Sequence, residues 1–268
     1  MARGPASVLS PERRRRQPGL GTLSLGVPSA AFVYFAIAPA LPELPAGDGA
    51  VVVAGGVGML LIAAATLSLV PARDTTIGPL LIVLGAGLLV AALNVGEVGA
   101  VANVFEALLA GAAGLLFARA LSTPVIAIAV PIFVAAVDIW SVASGPSSRL
   151  LDGPANPVDV LSFDLPMWGT MGSVGQLGLS DAVFLSIFAT WAWRYGFRRA
   201  ATLAGLTLGL LASLVLGLTF DRAIPALPLI AAGYLLPNLD RIAALLGSEP
   251  QDLGEDGRRP HCGDLPGL

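Results

Sequence analysis

Asp138 and Asp181 lie in two successive stretches that are otherwise apolar enough to cross a bilayer. A carboxylate in the middle of a membrane span costs about 3 kcal/mol on insertion scales, so such a residue is a functional candidate by default. Two of them flanking the same loop suggest a dyad that shares one proton, because like charges held close cannot both ionise. The protonated carboxyl can polarise a carbonyl while the ionised one takes a proton from an attacking water. That is the chemistry of aspartic hydrolysis, and the titration of such a pair belongs to both groups together.

A third motif, Pro225-Ala226-Leu227-Pro228, opens a further apolar stretch. Asp181 falls near a helix N-terminus, which favours its charge, and Asp138 nearer a C-terminus. The expected division of labour is therefore Asp181 as base and Asp138 as acid.

The elements that must position these residues are membrane helices. Of 268 residues, 55% are hydrophobic and only 12% charged, about half the charge of a typical soluble domain. Apolar runs of about 20 residues recur almost end to end. The fold class expected is an all-α polytopic membrane protein of about eight spans. These fall at about 22–42, 50–70, 77–94, 99–119, 123–144, 178–196, 200–220 and 225–246.

Residues 1–21 read as a polar basic arm, 22–122 as N-terminal helices, 123–246 as a catalytic core containing a 145–177 loop, and 247–268 as a disordered tail. Within the loop, Val158–Phe163 alternates like a strand. The first span has basic residues before it and Ala38-Pro39-Ala40 after it, yet its apolar stretch is long for a signal core. It reads as an uncleaved helix.

All of the basic residues are Arg, which reflects coding bias more than recognition, and nothing in the sequence suggests nucleic acid as a partner. One Cys, Cys262, beside one His, His261, supports neither an internal disulfide nor a Cys/His metal cluster. No metal or cofactor is expected. Arg13–Arg16 and the Arg194, Arg198, Arg199 group are separated by an even number of spans. The positive-inside rule then puts both termini in the cytoplasm and the 145–177 loop outside. Arg73 and Arg119 share the inner side, where Trp191, Trp193 and Tyr195 would join an aromatic belt. The location expected is a prokaryotic cell membrane.

With this threading, Asp138, Asp181 and Pro225 arrive at a similar depth near the outer face, although nothing in the span assignment requires it. Glu106 in the fourth span reads as a buried polar residue without a catalytic role. Asp240 and Arg241 read as a neutralised pair at the inner interface. A second Pro-Ala-Leu-Pro copy at Pro39–Pro42 shows that this motif alone carries little weight.

Gln176-Leu177-Gly178-Leu179-Ser180-Asp181, followed by Val183, Phe184 and Ser186, resembles the Gly-x-Gly-Asp block of the presenilin and signal peptide peptidase family of intramembrane aspartyl proteases. Ala223–Pro228 resembles that family's Pro-Ala-Leu motif. Asp138 and Val142, then Gly145-Pro146, Arg149 and Asp152, resemble the stretch around its first catalytic Asp. The likeness covers about 130–235. It implies catalysis by Asp138 and Asp181, and substrate binding by Gly178, Leu179, Ser180, Pro225, Ala226 and Leu227. Substrates would be transmembrane segments or signal-peptide remnants. The resemblance does not say whether accessory subunits take part.

Three features depart from the family. Val137 stands where it has Tyr, Ser180 where it has the second Gly, and about eight spans replace nine. The orientation from charge matches signal peptide peptidases, whereas the side-chain pattern is closer to presenilins. The alternatives are an inactive relative that binds membrane helices, a proton- or cation-coupled transporter, and a prepilin-type peptidase. The last is disfavoured around Pro225.

Overall fold

In a computed structural model, residues 20–95, 99–144, 162–222 and 224–247 are described. The helices are α1 (Leu20–Ile37), α2 (Asp48–Leu67), α3 (Ile77–Val95), α4 (Ala102–Ala120), α5 (Pro124–Ser144), α6 (Leu179–Arg194), α7 (Arg199–Phe220), α8 (Ala226–Leu235) and α9 (Leu239–Gly247). Short 3₁₀ turns extend α1 and α2, lead into α4, and join α8 to α9.

Five helical segments among the described residues are long and apolar enough to cross a membrane: Asp48–Asp74, Ala102–Ala120, Pro124–Ala143, Arg199–Phe220 and Ala226–Gly247. Leu25–Ala40 and Ile77–Leu93 are shorter apolar helices, and α6 has 16 residues. A helix thus falls in each expected apolar range. The chain is a mostly helical membrane protein by the length and composition of these segments.

Helix α4 is central. It packs against α1, α2, α3 and α6, and its small residues permit that crowding. A Cβ at Gly114 would lie 2.6 Å from the Val183 carbonyl oxygen, and one at Gly111 would lie 2.8 Å from that of Thr66. Close approach of this kind is what drives helix association where no hydrophobic effect operates. Helices α7 and α8 are joined the same way, with Gly205 and Gly233 backbone to backbone. Phe188 stacks on Tyr234, whose ring also meets Phe197 at a tilt, where α6, α8 and the α6–α7 turn come together. Helix α5 is peripheral, held mainly by α8. Its Val125, Ile132, Phe133 and Trp140 are exposed, as a lipid-facing surface requires.

The all-α membrane class holds in its main part, with one addition and two corrections. Strands β1 (Ser162–Pro166) and β2 (Ser173–Gly178) form an antiparallel hairpin that pairs Phe163 with Leu177. Phe163, Leu165 and Leu177 are buried while Asp164 is exposed, the alternation of a half-buried strand. Of the strand-like piece expected at Val158–Phe163, Val158–Leu161 lie outside the described residues. The turn passes through Gly169 at φ +74, where any Cβ would strike Glu43. Residues 145–161 lie outside the described residues, as do Arg13–Arg16, Asp152 and the tail beyond 247.

First, Asp240 does not pair with Arg241. It receives both Nη1 and Nη2 of Arg198 at 2.9 Å, whereas Arg241 donates to the Gly196 carbonyl at 3.0 Å. Adjacent helical residues point about 100° apart and do not face each other. Second, Trp191 is wholly buried and donates to the Ala118 and Leu121 carbonyls. It locks α6 to the end of α4 and takes no part in a belt. Trp193 and Tyr195 are partly exposed.

Candidate active site

The hairpin leads directly into the second aspartate. Gly178 ends β2 and caps α6 in extended conformation, with φ −65 and ψ 137. Leu179, Ser180 and Asp181 then form the first helical turn. Leu179 turns inward and packs on the core, Ser180 is exposed, and Asp181 is half-buried. The Asp181 carboxylate is hydrogen-bonded to the Gly178 backbone. A Cβ at Gly178 would lie 3.2 Å from Asp181 Oδ2 and 3.3 Å from Ser180 Oγ. Glycine here lets the strand end pass tightly beneath the carboxylate.

Asp138 comes from α5. Its Oδ2 accepts the backbone N–H of Leu227 at 3.1 Å. Leu227 is in the first turn of α8, whose cap residue Pro225 offers no side-chain acceptor. The first N–H groups of a helix have no partner within it, so Asp138 caps a helix that is not its own. This contact ties the Pro-Ala-Leu segment to the first aspartate.

Both aspartates line one cavity of about 600 Å³, together with Gly178, Ser180, Pro225 and Ala226. The two carboxylates are near enough to interact electrostatically. Strand β2, one face of α7 and parts of α2 and α5, including Val142, complete the walls. Two expected site residues do not line it. Leu179 is packed in the core, and Leu227 has a buried side chain and contributes through its N–H. Val137 is exposed and is absent from the lining. The second Pro-Ala-Leu-Pro copy sits elsewhere, with Pro39 lining a different cavity beside Phe35 and Thr170.

Sequence reading did not single out Arg222 or Ser213 and gave Gln176 no role of its own, yet all three also line the aspartate cavity. Arg222 stands over the Phe220 ring at 5.5 Å. Asn103 was likewise missed. Its amide brackets the Asp164 backbone, donating to the carbonyl at 2.5 Å and accepting the N–H at 3.1 Å. Trp168 Nε1 donates to Tyr34 Oη at 3.0 Å, and Tyr34 Oη to the Ala54 carbonyl at 3.2 Å. These bonds seat the hairpin on α1, α2 and α4. A buried Asn within an apolar span was the available signal.

Glu106 is buried in α4 with Oε2 unpartnered, and it does not line the aspartate cavity. Among the described residues no three of His, Cys, Asp and Glu gather as metal ligands would.

Comparison with protein-family models, with curated proteins and with solved structures returns no match for this chain.

Proposed function

We propose that the protein is an intramembrane aspartyl protease with a presenilin-like catalytic core in a bundle of about eight spans. The observation that carries this reading is the shared cavity. Two carboxylates from different helices line it beside Gly178, Pro225 and Ala226, the residues that the family resemblance assigns to substrate.

The chemistry follows from the geometry. Asp138 Oδ2 is engaged as an acceptor by Leu227 N–H, which leaves Oδ1 as the site for the shared proton. Asp138 then acts as acid toward the scissile carbonyl oxygen. Asp181, at the N-terminal turn of α6, takes the proton from water. Addition of that water gives a tetrahedral diol, which collapses as the amide nitrogen is protonated.

A helical peptide bond is shielded by its own hydrogen bonds and side chains, so the substrate must unwind locally. Strand β2 runs along the cavity from Val174 to Gly178, and its edge suits pairing with an extended segment. The substrate class is the membrane-spanning segment of another protein or a remnant signal peptide. The location read for the chain is a prokaryotic cell membrane, and the Arg distribution in the sequence favours both termini in the cytoplasm.

A peptide isostere whose hydroxyl mimics the tetrahedral diol, fitted with a photo-crosslinker, tests this reading. It is expected to label the wild type at residues lining the aspartate cavity and to fail with Asp138→Asn or Asp181→Asn. Equal labelling of all three proteins would count against the dyad.

A further inference from the structure

The end of α6 opposite Asp181 holds a second polar cavity, of about 390 Å³, lined by Arg73, Asp74, Arg119, Thr190 and Arg194. Thr190 and Arg194 lie nine and thirteen residues beyond Asp181, or about 13 and 20 Å along the helix. The two cavities therefore belong to opposite ends of the bundle.

Three arginines face one carboxylate. The Arg73–Asp74 ion pair is long, at 3.7 Å, and the Asp74 side chain is 82% exposed. Arg119 donates to the Arg73 carbonyl at 3.4 Å. Arg194 forms no ion pair among the described residues. Arg119 and Arg194 close the last turns of α4 and α6, where a cation offsets the helix dipole. That explains each singly, but not their convergence with Arg73 on one cavity.

The independent observation is Thr190. It is the most deeply buried lining residue, 3% exposed, and its Oγ1 has no hydrogen-bond partner. Other helical threonines have partners: Thr207 and Thr219 donate to the preceding turn at Leu203 and Val215, Thr66 donates to the Ala107 carbonyl, and Thr202 accepts from Asn238. Thr190 has none. A buried hydroxyl without a partner is costly and marks a place where a further group is expected.

We propose that this cavity is a phosphate-binding site, with guanidinium groups pairing to the phosphate oxygens and Thr190 Oγ1 donating to one of them. Basic pockets between membrane helices bind anionic lipid headgroups. Exposed Phe117, two residues before Arg119, and exposed Ile77 at the start of α3 offer apolar surface for acyl chains. The site is separate from the aspartates and does not depend on their chemistry.

The test uses the full-length protein in neutral detergent, titrated with phosphatidylglycerol, phosphatidylcholine or inorganic phosphate. Thermal unfolding and native mass spectrometry are the readouts. Phosphatidylglycerol is expected to bind and raise the unfolding temperature where phosphatidylcholine does not. Thr190→Val and Arg194→Gln are each expected to weaken that binding about tenfold, the scale of one charge-assisted hydrogen bond. Without lipid, Thr190→Val is expected to be at least as stable as the wild type, since the hydroxyl it removes has no protein partner.

If Arg194→Gln fails to fold, Thr190→Val carries the test alone. Protection by inorganic phosphate equal to that by phosphatidylglycerol would support the site and assign its occupant to soluble phosphate. Equal stabilisation by the two lipids with no effect of phosphate, or wild-type binding by the folded variants, would overturn the proposal.

Discussion

Asp138 and Leu227 are 89 residues apart in sequence and meet through one hydrogen bond of 3.1 Å, from the Leu227 backbone N–H to Asp138 Oδ2. The bond satisfies an orphan donor of α8 and fixes the first carboxyl relative to the Pro-Ala-Leu segment. Since the peripheral α5 is held mainly by α8, this contact also registers the two helices at the depth of the cavity.

Leu227→Pro removes that N–H at a helical position where proline is tolerated, because first-turn N–H groups make no intrahelical bond. Activity on a single-span substrate is expected to fall about five- to tenfold, the scale of one hydrogen bond to a neutral carboxyl. Leu227→Ile, which keeps both the N–H and the apolar volume, is expected to stay within about twofold. Equal rates for the two variants would mean the contact is incidental.

Gly178→Ala places a methyl 3.2 Å from Asp181 Oδ2 and 3.3 Å from Ser180 Oγ. The backbone angles at 178 suit alanine, so the variant is expected to fold and to lose activity by displacing the carboxylate. Adding Ser180→Ala removes one of the two contacts and should restore part of the rate. Ser180→Gly alone is expected to change the rate only a few-fold, because Ser180 is exposed on the cavity wall. Turnover numbers for the four proteins decide this.

Gly205→Ala would push a methyl into the Gly233 backbone. Overpacking of this kind costs about 1–3 kcal/mol, and separating α7 from α8 would pull Pro225 and Leu227 away from the aspartates. A lower unfolding temperature in detergent should accompany loss of activity. An unchanged unfolding temperature would show that the crossing is looser than its backbone contacts imply.

Asn103→Leu strips both hydrogen bonds from the Asp164 backbone and leaves two polar groups without their partner, at about 1–3 kcal/mol each. The effect is expected to be local. Amide exchange should rise across 162–178, and KM should rise more than kcat falls, because β2 forms a wall of the cavity while the aspartates stay in place. Unchanged exchange in the hairpin would contradict this role.

The helical ranges and the meeting of Asp138, Asp181 and Pro225 were legible in the sequence because apolar runs set span ends, and span ends set depth. What escaped was decided by backbone or by distant partners. The role of Leu227 lies in its N–H, which no side-chain pattern encodes. The seating of the described hairpin depends on Asn103 and on a turn at Gly169 that fits against Glu43, partners too distant in sequence for the alternation at Val158–Phe163 to show. Asp240 chose Arg198 over its neighbour because a helix turns adjacent side chains apart. Trp191 looked interfacial by position, yet two carbonyls at the end of α4 satisfy its N–H inside the core.

The central claim is that Asp138 and Asp181 act together on a peptide bond inside the membrane. The most direct measurement is cleavage of a panel of tagged single-span substrates in liposomes, comparing wild type with Asp138→Ala and Asp181→Ala. The account predicts product from the wild type and at least a thousandfold loss (~4 kcal/mol of barrier) with either change in folded protein. No cleavage by the wild type across the panel from about pH 4 to 8, or persistence of product in either variant, would contradict it. The first of those results would favour a protein that binds membrane helices without cutting them.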